Sequence, residues 1–262
     1  MKKEFLDLGK QPIANKFLKE DEFNDEFFFD LKVVFDEETK LVSLKEFVKP
    51  ELMFNDDYKY TTSLSTPMVN HFKETAEMLK MKFTPKKVLE IGSNDGPFIS
   101  NFPKEDSICV EPCDNFARVT ADMGYITSTE FWTTELSDKI KDSNGCMDLI
   151  YAANCICHIQ DLNDAFTAIK NLLKPAGVFV FEDPSLLRML ERGSYDQIYD
   201  EHAHIFSVIA LDNILRDNGL KIFSVDNLSV HGGSNRIYAS HIDSGTVGDS
   251  VKQNINEEMV FG

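Results

Sequence analysis

Residues 86–99 read KKVLEIGSNDGPFI. The apolar run Val88–Ile91, broken only by Glu90, predicts a buried strand. Gly92-Ser93-Asn94-Asp95-Gly96 then predicts a tight turn into a helix, because glycines at its first and fifth positions let the chain reverse and bring backbone N–H groups close to a ligand. Outward from this turn, short apolar runs alternate with amphipathic stretches. The runs predict strands at Val88–Ile91, Ser107–Glu111, Tyr125–Thr127, Met147–Asn154, Gly177–Glu182, Leu220–Val225 and Arg236–His241. The stretches predict helices near Asn115–Met123, Thr134–Lys141, Leu162–Leu173, Leu186–Glu191 and Ile209–Asn218. Such alternation marks an α/β fold with a mostly parallel sheet. The last two strands follow each other with no helix between them, so the seven-stranded sheet is expected to end in an antiparallel hairpin.

Residues 1–65 differ in character. Leu31–Phe35 and Leu41–Leu44 alternate around a polar DEETK turn and predict a small β-hairpin. Met68, Phe72, Ala76, Met78 and Leu79 predict a helix over Thr66–Lys82, stopped by Pro85. The expected organisation is an N-terminal region over 1–65, a main domain over 66–243 and a C-terminal tail over 244–262. With 27 Lys and Arg against 44 Asp and Glu, the chain of 262 residues carries a net charge of −17. That charge repels phosphate backbones and anionic lipid, which argues against nucleic acid or a membrane as partner. No apolar run approaches the ~18 residues of a membrane span, and the opening MKKEFLDLGK has no signal-peptide pattern. The five cysteines (Cys109, Cys113, Cys146, Cys155, Cys157) are odd in number and contain no C-x-x-C, so a reduced, cytoplasmic protein is expected. Nothing in the sequence predicts an oligomeric state.

Glu111 lies at the end of the second main-domain strand, nineteen residues after Gly92. An acid there accepts hydrogen bonds from both hydroxyls of a ribose. Neither G-x-G-x-x-G nor G-x-x-x-x-G-K-[ST] is present, so the turn is not a phosphate cradle of either kind. Its pattern is Glu90-x-Gly92-x-x-x-Gly96, an acid leading a glycine turn, and it suits a ligand with an amino group and no phosphate. S-adenosylmethionine (SAM) is such a ligand. The chain resembles a class I SAM-dependent methyltransferase with a Rossmann-like fold. Gly92, Asn94, Gly96, Glu90 and Glu111 would then bind SAM, with Asn154 at the end of the fourth strand. His158 follows in CICHIQDL at the carboxyl end of the sheet, where ligands of such folds sit.

Between the fifth strand and the final hairpin lies DPSLLRMLERGSYDQIYDEHAHIFS, too polar to be read as core and placed where a substrate lid would be. Tyr199, Glu201, His202 and His204 crowd into six residues of it. A histidine beside a carboxylate is a candidate base, since the acid can orient the imidazole and raise its basicity. Four signatures occur in order: LGKQPIAN from Leu8 to Asn15, YTTSLS from Tyr60 to Ser65, YDEH from Tyr199 to His202, and HGGSNR from His231 to Arg236. By these the chain resembles the SAM-dependent C-methyltransferases that act on nucleotide-linked 4-keto-deoxysugars. The resemblance implies a pocket of Tyr199, Glu201, His202, His158 and Tyr60. It implies His202 as base oriented by Glu201, or His158 as base, with Tyr199 or His158 hydrogen-bonding an enolate oxygen. His231, Ser234 and Arg236 would face the substrate. Arg236 or Lys59 would answer the difficulty that a dianionic sugar nucleotide meets in so acidic a protein.

The family's pattern breaks at both ends. Members carry a four-cysteine zinc module near the start, whose second pair would fall near Asp36 and Thr39. Carboxylate and hydroxyl there cannot complete a tetrahedral thiolate site, so no bound metal is expected. Members also continue into a second α/β domain, which implies that this chain is shortened. Methyl transfer to oxygen or nitrogen of another small molecule uses the same SAM site, and a non-catalytic SAM-binding relative keeps the same fold.

Overall fold

The computed structural model describes residues 1–261. In chain order its strands and α-helices are β1 (Lys2–Pro12), β2 (Phe28–Asp36), β3 (Val42–Leu44), α1 (Pro50–Met53), α2 (Thr66–Phe83), β4 (Val88–Ile91), β5 (Ser107–Val110), α3 (Asp114–Asp122), β6 (Ile126–Ser128) and α4 (Thr134–Asn144). They continue as β7 (Met147–Ala153), α5 (Leu162–Leu172), β8 (Leu173–Pro184), α6 (Leu186–Arg192), β9 (His204–Ile205), α7 (Val208–Asp217), β10 (Leu220–Leu228), β11 (Ser234–His241) and α8 (Asp249–Phe261).

The main sheet has seven strands in the order β10-β11-β8-β7-β4-β5-β6. β4 runs parallel to β5 and β7, β5 to β6, and β7 to β8, whereas β11 is antiparallel to both β8 and β10. The expected terminal hairpin is therefore present. Alternate residues of each central strand feed two cores, one per face of the sheet. Leu89, Ile91, Ile150, Phe179 and Phe181 pack with Phe166 of α5 and Leu211 of α7. Leu149, Tyr151, Val180 and Tyr238 pack on the other face with Phe72 and Leu79 of α2. Burial on both faces is why these strands read as apolar runs.

The N-terminal region is larger than a hairpin. β2 and β3 pair as expected, but β1 adds an edge strand, and β9 from the YDEH-containing insertion pairs with β3 through Val42 and Ser43. This four-stranded sheet has its own core of Leu31, Val33, Leu44, Met189 and Ile205. The insertion is thus not a polar surface loop: Asp200, Glu201, His202 and His204 are all buried. Residues 244–262 contain α8, whose Val251 joins the main core. Its Glu258 accepts the amides of Val208 and Ile209 at 2.7 and 2.9 Å, closing the N-terminus of α7. Among the described residues no helix is long and apolar enough to cross a membrane.

Candidate active site

A cavity of about 460 Å³ opens at the carboxyl ends of β4, β5 and β7. Its floor is the glycine turn. Gly92 has φ +71°, which favours glycine, and a Cβ built on it would lie 2.8 Å from Cys155 Sγ. The Gly92 and Ser93 amides donate to Val110 O, tying the turn to the end of β5. Glu111 accepts the amides of Asn94 (2.7 Å) and Cys113 (2.9 Å), and buried Glu90 accepts that of Ile99 (3.1 Å). Burial pushes both carboxyls up, Glu90 well above its ordinary value, despite those amide bonds. Asn154, with φ +48°, donates its amide to Glu182 O at 2.7 Å and also lines the cavity. Gly96 does not line it: a side chain there would meet Thr120 Cγ2 at 3.0 Å, so Gly96 shapes the turn from behind.

A strap, residues 58–64, lies across the turn. Asn94 Oδ1 accepts the Thr62 amide (2.9 Å), Asn94 Nδ2 donates to Tyr60 O (3.0 Å), and Asp95 accepts the Ser63 amide (3.2 Å). Asn94 thus uses its side chain to latch the strap. Tyr60 lines the cavity while remaining 44% exposed.

Opposite the turn, three rings stack: Phe54 on His158 and His158 on His202, with centroids 5.3 Å apart in each pair. His202 Nδ1 is 2.7 Å from Gln197 O, so the proton sits on Nδ1, and Nε2 accepts from Tyr199 OH at 3.1 Å. Burial lowers the His202 pKa to about 4 and holds His158 well below its ordinary value, so both rings are neutral. His158 Nε2 is buried with no hydrogen-bond partner.

Four expected roles are corrected by this geometry. Glu201 does not orient His202. It accepts from Asn15 Nδ2 (2.6 Å) and Tyr58 OH (3.0 Å), because adjacent residues of an irregular segment point different ways. Burial pushes its carboxyl up to about 7. Arg236 is no phosphate ligand: it is buried, with Nε 2.7 Å from Glu182 Oε1 and NH2 donating to Thr75 Oγ1 at 2.6 Å. Glu182 also accepts from Tyr151 OH (3.0 Å) and sits 2.6 Å from His71 Nε2. Ser234 is buried, donates to Val230 O at 3.2 Å and is absent from the lining, whereas His231 is part of it. Lys59 Nζ lies 3.8 Å from exposed Asp57 and is also off the wall.

Sequence reasoning missed several wall residues. Asn15 and Tyr58 reach the site through Glu201, and Phe54 through the ring stack. Phe131, Trp132 and Thr133 follow β6 beside Glu111, a position that the sheet order alone would have pointed to. Cys157, His158 and His202 place potential ligand atoms within 4.8 Å of one another, the one such grouping among the described residues. Burial keeps the Cys157 thiol protonated, with the nearby Asp183 carboxylate acting in the same direction.

A family model described as "Methyltransferase domain" matches residues 69–225. A second, described as "Putative zinc binding domain", matches residues 1–54, a segment with neither cysteine nor histidine. C-methyltransferase NovU of Streptomyces niveus is 29% identical over 241 residues, which is 90% of this chain. The chain spans 57% of that relative's length. Among solved structures, a SAM-dependent methyltransferase of Clostridium acetobutylicum superposes with a TM-score of 0.52 at 14% identity, covering 66% of this chain and 92% of that one. A SAM-dependent methyltransferase of Thermotoga maritima gives 0.51 at 17%, covering 67% and 92%. At such identities the likeness is one of fold, the Rossmann-like sheet of SAM-dependent methyltransferases.

Proposed function

Because this chain belongs to the methyltransferase-domain family, we propose that it transfers a methyl group from SAM to carbon, next to the keto group of a 4-keto-deoxysugar. The observation that carries the reading is His202. Its Nδ1 proton is fixed on Gln197 O, and its Nε2 lone pair faces the cavity with only a rotatable hydroxyl on it. The carbon relative supports carbon as the acceptor atom.

The donor set suits a sulfonium bearing an ammonium group and a purine. Glu90 and Glu111 supply carboxyl oxygens that can accept hydrogen bonds, Gly92 and Asn154 allow close approach, and Phe131 and Trp132 offer flat apolar surface. SAM, when bound there, supplies a methyl group on positively charged sulfur, an electrophile that needs no activation. The chain's own task is to make and hold the nucleophile. The keto group acidifies the proton on C3, and His202 Nε2 removes it. Gln197 O keeps the resulting imidazolium in place through Nδ1–H. Tyr199 OH, freed from Nε2, donates to the enolate oxygen, and His158 is a second group beside the same space. A pKa near 4 keeps His202 unprotonated at neutral pH, and the enolate formed beside it raises its basicity as the proton moves.

Proton removal precedes methyl transfer, so the protein in heavy water with a 4-ketosugar and S-adenosylhomocysteine should exchange the C3 proton for deuterium. His202→Asn should lower exchange and methylation together by about 10²–10⁴, the usual cost of losing a general base. If His158→Asn is dead and His202→Asn stays within about tenfold of the parent, the base is His158. No exchange with any ketosugar would sink carbon methylation in favour of transfer to oxygen or nitrogen.

A further inference from the structure

The glycine turn and the acceptor wall face each other across one cavity, and the strap is bonded to both. Its amides from Lys59 to Ser63 reach no backbone carbonyl among the described residues. Side chains of the turn and of α3 hold it instead. Asn94 accepts the Thr62 amide and donates to Tyr60 O, Asp95 accepts the Ser63 amide, and Asn115 Nδ2 donates to Tyr58 O at 3.0 Å. At the other end Tyr58 OH donates to Glu201, and the Tyr58 ring meets Phe54 edge-on with centroids 5.4 Å apart. Phe54 in turn stacks on His158, and His158 on His202. Asn94 stands at the head of this series. Its backbone takes a left-handed φ of +47°, and its amide is held by Glu111 at 2.7 Å, so the turn itself sets its position. A segment anchored by side chains, with no ladder of its own, opens locally at low cost and is ordered by what packs on it. Tyr60 and Thr62 line the cavity beside Gly92, Ser93 and Asn94, so a ligand seated on the turn meets the strap as well.

We infer that Asn94 is a positioning residue for the acceptor: by latching the strap to the turn, it makes binding of the methyl donor order the wall built from Tyr58, Glu201 and the Phe54–His158–His202 stack. Donor and acceptor then bind cooperatively, and by linkage each tightens the other by the same factor. The nature of the acceptor rests on the carbon-methylation reading above, whereas the transmission through the strap does not.

Amide hydrogen exchange of the whole chain, with and without saturating S-adenosylhomocysteine, reads the transmission with no acceptor present. In the parent, the ligand should slow exchange about fivefold or more over the turn (90–99), the strap (58–64) and the wall (197–203). Asn94→Gly removes the latch while keeping a left-handed backbone and the amide on Glu111. In that variant the slowing should persist over 90–99, which shows the ligand bound, and fall to within about twofold over 197–203. Tyr58→Phe keeps the ring and loses only the bond to Glu201, so the turn and strap should still respond and the wall should not. Slowing over 197–203 that survives in Asn94→Gly would mean that the ligand touches the wall directly. Slowing lost over 90–99 as well would make Asn94 a plain cofactor ligand, and a parent wall that never responds would mean that nothing is transmitted. Any of these three overturns the inference. With a nucleotide-linked 4-ketosugar, S-adenosylhomocysteine should tighten the sugar about tenfold in the parent by calorimetry, and no more than about twofold in Asn94→Gly. Equal sugar affinity with and without it in the parent overturns the inference and leaves carbon methylation standing. A wall that responds through the strap in a chain that binds no ketosugar supports the inference and removes carbon methylation.

Discussion

Replacing Asp183 by asparagine should stabilise the protein, by an amount that grows with pH. Asp183 lies near the end of β8, buried, and neither of its carboxylate oxygens has a hydrogen-bond partner. Burial pushes its carboxyl from 3.8 up to about 7, and the nearby Cys157 thiol and the amides of Cys155 and Cys157 offset only part of that. An acid raised in this way favours folding at low pH. Below 3.8 the folded and unfolded chains both hold the proton. Between there and about 7 the unfolded chain loses it while the folded chain keeps it, so stability falls as pH rises; above about 7 the curve is flat. A gap of roughly three units at ~1.4 kcal/mol each makes about 4 kcal/mol lost by pH 8. Asparagine has no proton to lose. The stability difference between variant and parent should therefore widen by about 2 kcal/mol from about pH 5.5 to about pH 8. Any fixed cost of exchanging oxygen for NH2 drops out of that change. Glu201, also raised to about 7, contributes equally to both proteins and cancels. Urea unfolding of the two proteins across this range reads the quantity directly. A difference constant to within about 0.5 kcal/mol would mean that Asp183 is ionised and satisfied in the fold, and the reasoning would be wrong.

Removing Arg236 should act on stability, since it strands the buried Glu182 carboxylate: Arg236→Met is expected to cost roughly 3–5 kcal/mol in denaturant unfolding. A specific loss of nucleotide affinity with stability intact would contradict the buried pairing. Gly92→Ala should cost about 1–2 kcal/mol for its left-handed backbone alone, with a further penalty from overlap with Cys155 Sγ. Cys155→Ala placed in the same chain should recover part of that penalty and none of the backbone cost. Glu258→Ala leaves two amides of α7 without acceptors and should lower stability by about 1–2 kcal/mol; an unchanged unfolding curve would mean that α8 detaches freely.

The main sheet was legible because its determinants are local. Val88–Ile91 and the glycine turn carry their strand, their reversal and their ligand chemistry within one short stretch, and the strands after them are buried on both faces. The misreadings share a different cause, in that partners distant in sequence decide them. A two-residue strand such as His204–Ile205 has no periodicity of its own and exists because β3 is there to pair with it. The polar letters of YDEH suggested exposure, yet Asp200 is covered by the Ala14 amide at 3.0 Å and Glu201 by Asn15 and Tyr58. Arg236 looked free until α2 brought His71 and Thr75 against the same cluster. Spacing names residues that share a segment, but it does not say which way each side chain turns.

The N-terminal segment shows what those distant partners achieve. It matches a family described as zinc binding over residues 1–54, but a segment with no cysteine and no histidine cannot supply thiolate or imidazole ligands. Its attachment to the methyltransferase-family domain runs through other bonds. β3 holds β9, Ile13, Val48 and Met53 form a small apolar cluster, and Ala14 and Asn15 hydrogen-bond the acids on either side of the Asp200–Glu201 peptide. The strap closes the same side by placing Tyr58 OH on Glu201 while Asn94 grips Tyr60 and Thr62. Glu201 thus joins three parts of the chain, residue 15, residue 58 and the insertion, at the wall that faces His202. Its carboxyl near 7 takes up a proton as pH falls well before the His202 ring, with its pKa near 4, does. The acidic limb of activity should therefore report loosening of the acceptor wall before it reports protonation of the base. A Glu201→Gln variant separates the two, because it removes the limb near 7 and leaves the one set by His202.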